Sequence, residues 1–439
     1  MVAPKRFAPY CVTEGAGPQG AENLTPQGAE NLTARTGRYA VPRPGFLSRS
    51  VTKSIALGQY GFPFAIGNSP IPVAQFRAIA RAARFAEQSR IRRGLLRLVM
   101  TLTWPLGAFA TARRTLAQMR EWGRTPHGVS VLLDMVWLAL RHSIPPLEYG
   151  LYRFNEPARR AAMHKYVYWN DLPGLAALVK RSGADNRDVQ DKDRFAEICA
   201  MNDFPHVRTL AVFEGGRQTH PVEPFVPDIP VLWTKALRLK GGAGGTKWCR
   251  AGEEYYDTAG RRVPATQLAS ALSRPDCIVQ PFIDNHPDIG CVSNGALAAL
   301  RIITGINGEG EAEFVASLLA LPHGHHVSSV AGILCAITPE TGRIRRAMTP
   351  DGTPVSHHPD TGILITDIRL PFWHESHDLV RRAHAAGFAR FPFLGWDVAL
   401  TADGPVLLET NSGWGAMFHQ MLDGPLGATA FSRLVALYV

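Results

Sequence analysis

The stretch from Leu394 to Asn411 constrains this chain more than any other. Two apolar runs flank the pair Asp403-Gly404, which is the pattern of a β-hairpin. A loop centred on Asp403 sets Asp397 opposite Glu409, with Asn411 further along on the same face. Two carboxylates and an amide oxygen on one side of a sheet suit Mg²⁺, a hard cation that completes its shell with water and phosphate oxygens. Glu409 follows Val406-Leu407-Leu408, so it leaves a buried strand, where an unpartnered carboxylate is costly. The competing reading is a hairpin with solvated carboxylates on its wet face.

The 439 residues allow two or three domains with sizeable cores. A hydrophobic share of 46% and a charged share of 19% are those of a soluble globular protein. Six cysteines show no paired short spacing, which argues against a zinc ribbon or a disulfide scaffold and fits a reducing compartment. The net charge of +10 is uneven. Residues 35–124 hold sixteen Lys and Arg against Glu87 and Glu121, a local +14, so the remainder is near neutral. No charged start followed by an apolar core marks a secretory leader. Leu95 to Thr111 is interrupted by Arg97 and Pro105, and no transmembrane helix is expected.

Residues 18–25 and 26–33 are an identical octapeptide rich in Pro, Gly and polar residues, and residues 1–45 read as a disordered tail. Residues 46–125 read as a basic helical extension. From Val73 to Trp122 arginines take one helical face and Leu, Ile and Phe the other, and Trp104-Pro105 is expected to break the run. Three readings stay open there: an interfacial helix pair on anionic lipid, a clamp for an acidic polymer, or a helix packed on its own domain with a solvated basic face. No nucleic acid is expected, because aromatic residues are not interleaved with the charges. Residues 126–205 read as an α/β domain, with a helix from Val129 to Arg141 stopped by Ser143-Ile144-Pro145-Pro146. Asp191-Lys192 then opens a helix over Arg194 to Asn202.

Residues 231–235 form a strand that ends in Lys235, ahead of a loop with Gly241, Gly242, Gly244 and Gly245. Glycines let backbone N–H groups approach phosphate oxygens, and a lysine neutralises charge. No Gly-Lys-Ser/Thr opens a helix here, so this is not a Walker loop. Cys277 to Ile283 is an apolar strand with a proline at 281, a fitting wall for a flat purine. Arg301 stands alone in an apolar strand and needs a partner, a structural acid or a ligand. His357 and His358 are adjacent on extended backbone, so their rings point to opposite faces and do not share one ion.

Lysine, lysine with a glycine loop, hinge, arginine, Asp, then Glu-x-Asn: in that order these features closely resemble the ATP-grasp enzymes. Within them the chain is most similar to the sugar-transfer-associated branch, which is related to alpha-L-glutamate ligases. The likeness runs over about residues 130–420, with His142, Ile144-Pro145, Tyr149 and Asn285-His286-Pro287 in family-like order. It implies an α/β (α+β) ATP-grasp fold with a mobile nucleotide lid over 206–279 and a catalytic domain over 280–439. It also implies ATP and Mg²⁺ as cofactors. Lys192, Lys235 and the glycine loop would hold phosphates. Gln280, Phe282 and Ile283 would hold adenine, and Asp284 or Asp288 the ribose. Arg301 would stabilise the transferred phosphoryl group, and Asp397, Glu409 and Asn411 would hold the metal. Ala236 and Ala299 replace the usual Pro and Thr, and Ser328-Ser329 stand where relatives carry Asp or Asn. Trp414 and His419 are expected on the substrate side.

The implied chemistry activates a carboxylate as an acyl phosphate and joins it to an amine, in the making of cell-surface polysaccharide or peptide-like metabolites. The alternatives are phosphoryl transfer to a hydroxyl, and a non-catalytic nucleotide-binding module that docks through residues 46–124. The expected partners are a small carboxylate and an amine acceptor. A cytoplasmic location is expected, with peripheral contact to the inner face of the membrane as a further option.

Overall fold

The computed structural model describes residues 71–83, 89–124, 128–221, 223–237, 245–273, 276–293, 295–324, 332–366 and 368–439. The tail repeat, residues 46–70, Gly241, Gly242, Gly244 and Ser328-Ser329 lie outside these residues.

Helices come first: α1 (Ile71–Ala83), α2 (Arg90–Glu121), α3 (Gly128–His142), α4 (Pro146–Leu151), α5 (Pro157–Ala161), α6 (Pro173–Ser182), α7 (Arg187–Gln190) and α8 (Lys192–Met201). A first antiparallel sheet follows: β1 (Ala211–Glu214), β2 (Arg217–His220), β3 (Val231–Ala236), β4 (Thr246–Ala251), β5 (Glu254–Asp257), β6 (Arg262–Pro264) and β7 (Cys277–Pro281), in the order β2-β1-β7-β3-β4-β5-β6. Its apolar face, including Leu232, Trp248, Tyr255 and Val279, packs under α9 (Ala265–Leu272). After the single turn α10 (Pro287–Gly290) comes the second sheet: β8 (Ala299–Ile306), β9 (Ala312–Leu321), β10 (Ile333–Ile337), β11 (Ile344–Met348), β12 (Pro354–Val355), β13 (Phe393–Thr401) and β14 (Gly404–Asn411), in the order β12-β11-β10-β9-β8-β13-β14. α11 (Trp373–Gly387) precedes β13, and α12 (Met417–Asp423) and α13 (Ala430–Val435) close the chain.

Both faces of the second sheet are covered, and its strands read as continuous apolar runs for that reason. α11 and α8 cover one face, where Phe195 of α8 lies 5.8 Å from Phe388. α1 and α13 cover the other, with Phe76 edge-on to Phe431 at 5.6 Å. α1 is thus part of the body built on the second sheet and not a separate extension. Gly174 is required there, since a Cβ on it would lie 2.6 Å from the Phe76 ring. Arg77 pairs with Asp171 at 3.0 Å and also donates to the Tyr166 carbonyl.

Three expectations fail. The α2 helix runs through Trp104-Pro105 without a break. Trp104 and Ala108 are buried against Ala139 of α3, and this packing outweighs the one backbone hydrogen bond that proline removes. Among its described residues the 126–205 segment holds helices and no strand. Its aromatic residues, strand-like by propensity, instead stack as one core of Tyr149, Tyr152, Phe154, Tyr166 and Tyr168 between helices. The border expected at 279/280 falls inside β7, which is held on both sides by β1 and β3. The chain leaves the first sheet after Phe282, whose N–H donates to Val231, and joins the second at His286, whose N–H donates to Leu400.

Candidate functional site

Three adjacent strands build the centre of the site. Arg301 on β8 pairs in register with Asp397 on β13, and Asp397 with Glu409 on β14. β8 is buried at every position except Arg301, so the charge stands where the strand faces the cleft. The Asp397–Glu409 pairing arises differently from the expected loop. Thr401 pairs with Gly404 around a two-residue turn, and Gly404 takes φ +128°, open to glycine alone. A bulge at Leu408 then restores the register. It also places Leu407 and Glu409, two residues apart, on opposite faces. Leu407 is fully buried in the core, while Glu409 faces the cleft with its side chain about a third exposed.

The Arg301 guanidinium meets the Asp397 carboxylate twice, with Nη2 donating to Oδ2 at 3.4 Å and Nε 3.2 Å from Oδ1. The Nε approach is off-line, and this buried nitrogen has no hydrogen-bond partner among the described residues. Burial raises the Asp397 pKa against the pull of Arg301, and Glu409 pushes it the same way as burial. Asn411 lies beside Glu409, its Nδ2 3.5 Å from Oε1.

The first sheet supplies the facing cation. Lys235, the last residue but one of β3, has its Nζ 3.9 Å from Glu409 Oε2, across the gap between the sheets. Lys192, at the first turn of α8, donates to the Ala236 and Leu237 carbonyls at 3.4 and 3.2 Å. Burial lowers the Lys235 pKa to about 8; Glu409 opposes the shift and Lys192 adds to it. Burial likewise lowers Lys192, again with Glu409 opposing. The arrangement gathers three basic side chains against two carboxylates, a surface that can take up a polyanion together with a cation. Among the described residues no three of His, Cys, Asp and Glu gather as a metal site. The oxygen donors here are two carboxylates and one amide, which leaves coordination positions for phosphate oxygens.

The hinge residues lie next to Lys235. Gln280 is buried on β7 opposite Trp233, Phe282 and Ile283 are half-buried, and Asp284 and Asp288 are exposed. Gly245 stands at the start of β4, the one member of the glycine loop that is described. Lys247 was not foreseen: its Nζ lies 3.9 Å from the centre of the Phe282 ring, beside Trp233. Its position two residues after Gly245, on the strand that closes the loop, was the signal for it. Trp414 is not on the substrate side. It is buried among Phe393 and Phe431, in space left by Gly395, where a Cβ would lie 2.6 Å from the Trp414 side chain. His419 is buried near Arg301, and burial, with Arg301 adding, lowers its pKa to about 3. His358 is buried with Nε2 at 2.9 Å from the Pro322 carbonyl, while His357 is exposed. Cys199, Cys277, Cys291 and Cys335 are free thiols.

Two antiparallel sheets that meet over a lysine-rich, carboxylate-bearing cleft define the ATP-grasp class. The family model of sugar-transfer associated ATP-grasp proteins matches residues 181–434, more than half of the chain, and the chain belongs to that family. A search of curated proteins gives no match. Among solved structures, L-amino acid ligase from Bacillus licheniformis is 11% identical, with a TM-score of 0.34 over 60% of this chain and 53% of that one. The ATP-grasp ligase PsnB, complexed with a precursor variant, Mg and ADP, is 14% identical, with a TM-score of 0.32 over 65% and 72%. D-alanine–D-alanine ligase from Bacillus anthracis, complexed with ATP, is 12% identical, with a TM-score of 0.30 over 57% and 66%. The chain spans about half the length of the first of these.

Proposed function

We propose that this protein is an ATP- and Mg²⁺-dependent ligase that activates a carboxylate as an acyl phosphate and joins it to an amine. The observation that carries the reading is the convergence of Lys192, Lys235, Arg301, Asp397 and Glu409 where the two sheets meet. The site's chemistry fits the group it would hold. Three cationic side chains, Lys192, Lys235 and Arg301, face the two carboxylates Asp397 and Glu409, so the cleft carries an excess of positive charge that a polyanion would balance.

In this reading Lys192, Lys235 and the glycine loop hold the phosphates. Gln280, Phe282 and Ile283 face the base, and Asp284 the ribose. Asp397, Glu409 and Asn411 hold Mg²⁺, which neutralises phosphate charge when bound. A substrate carboxylate oxygen attacks the γ-phosphorus, and the bond to the departing ADP breaks. Arg301 stabilises the charge that develops on the transferred group. The amine then attacks the acyl carbon and loses a proton as phosphate leaves. The protein contributes position and charge complementarity.

The test is incubation with ATP, Mg²⁺ and pools of amino acids or sugar acids, followed by ADP release and product mass. Hydroxylamine should trap the acyl phosphate as a hydroxamate. Asp397→Asn and Glu409→Gln should each lower kcat/KM by roughly a hundredfold or more. A phosphorylated hydroxyl product with no hydroxamate would establish a kinase instead, and full turnover by both variants would remove the metal assignment.

A further inference from the structure

α2 carries a row of large apolar side chains that stand exposed, outside every apolar cluster of the described residues. Ile91, Leu95, Leu98, Leu102, Leu106 and Phe109 follow each other at three- and four-residue steps, so they share one helical face. The eighteen steps from Ile91 to Phe109 at helical rise make this row roughly 27 Å long. All six are exposed, Ile91 at 87%, Leu102 at 68% and Leu106 at 76%. Single exposed leucines are ordinary, but an unbroken row of this kind marks an interaction site. The helix cannot roll to hide it. Its opposite face, Trp104, Ala108, Ala112, Thr115 and Met119, is buried, and Trp104 Nε1 donates to the Ala139 carbonyl of α3 at 3.4 Å. On α3 itself Val129, Leu133 and Trp137 form a second exposed row.

The charge around the row indicates what covers it. Residues 90–124 contain eight arginines and a single acid, Glu121, with no Lys or Asp. Arg90 and Arg92 stand exposed at one end of the row, and Arg113 and Arg114 at the other. We infer that α2 docks the protein on the surface of an anionic phospholipid bilayer, with the apolar row in the acyl boundary and the arginines on lipid phosphates. Guanidinium groups match phosphate geometry, and this combination is the signature of a helix lying in the interface plane. A second copy of the chain would set one arginine-rich face against another. A nucleic acid would meet the arginines but leave the row in water. Among the described residues no helix is long and apolar enough to cross a membrane, so α2 lies on the bilayer and does not span it. Arg124, just past α2, donates to the Asp351 carbonyl at 2.7 Å, so the docked helix is tied to the body that carries the site.

The experiment is co-sedimentation of the full chain with vesicles of phosphatidylcholine alone or mixed with phosphatidylglycerol. Binding is expected on the mixed vesicles only, and should weaken as salt is raised. The double variant Leu102→Glu/Leu106→Glu should bind at least roughly tenfold more weakly, with an unchanged thermal midpoint because both side chains are already in solvent. Arg92→Glu/Arg113→Glu should lose binding to the same vesicles. The inference is overturned if the wild type stays in the supernatant, or if neutral vesicles bind it equally. It is also overturned if the leucine variant binds as well as the wild type, or if the wild type is a dimer that this variant splits.

Discussion

Glu148 and Lys235 are buried groups whose pKa values converge from opposite sides. Glu148 accepts from the Trp169 N–H at 3.0 Å and from the Tyr152 hydroxyl at 3.1 Å, deep in the aromatic core. Burial pushes its carboxyl up to about 8, and those hydrogen bonds only partly oppose the shift. Folded Glu148 therefore keeps a proton that the unfolded chain gives up above its ordinary value of 4.5, so its contribution to stability falls as pH rises from there to about 8. Lys235 acts in the next window. The unfolded chain holds a proton up to 10.5 that the folded amine loses at about 8, so stability rises with pH between those values. Glu148→Gln should match the wild type near pH 5 and exceed it near pH 8 by on the order of a few kcal/mol. Urea denaturation across that range reads it directly. An equal difference at both pH values would mean that Glu148 is ionised in the folded protein.

At the scale of elements, Pro105 gives the clearest test. It sits exposed inside α2 and deprives the helix of one backbone hydrogen bond, while Trp104 and Ala108 pack against Ala139 of α3 and the helix stays continuous. Pro105→Ala should restore that bond and stabilise the protein by roughly 1–3 kcal/mol, after allowing for the looser unfolded chain. A loss of stability in chemical denaturation would mean that the proline serves a bend. The same comparison shows what a sequence can disclose. The pairing of Asp397 with Glu409 was legible, because strands alternate with a period of two. The bulge at Leu408 was not, because it answers two demands that meet only in space: Leu407 must enter the core while Glu409 faces the cleft. The tyrosines of 149–168 carried strand propensity, yet helices bury them. Gln420, 0% exposed, supports that core by accepting from Val167 N and donating to Val167 O and the Tyr152 hydroxyl. Such a distant polar partner leaves no local pattern.

On the scale of the whole molecule, the site belongs to neither sheet alone. Lys235 rides on the first sheet and Glu409 on the second, and the chain passes between the sheets near Phe204–Leu210 and Phe282–His286. They approach to 3.9 Å, an ion pair that adds little, since Glu409 is partly solvated. A ligand that touches both sheets changes this balance. It gives the buried amine of Lys235 a closer anionic partner than Glu409 at 3.9 Å, and it binds only the folded arrangement. Saturating Mg²⁺ and a non-hydrolysable ATP analogue at about a hundred times Kd should therefore add about 2.7 kcal/mol to the unfolding free energy. Lys235→Met and Glu409→Gln act from opposite sheets, yet each should remove most of that gain. Chelating the metal should reduce it in the wild type and do nothing further in Glu409→Gln. Lys235→Met should also stabilise the ligand-free protein below pH 8, because it deletes a buried charge, while it weakens nucleotide binding. A variant that gains stability without ligand and loses it with ligand separates a phosphate-holding lysine from a structural one. A Lys235→Met protein stabilised by the nucleotide as fully as the wild type would place the polyphosphate elsewhere.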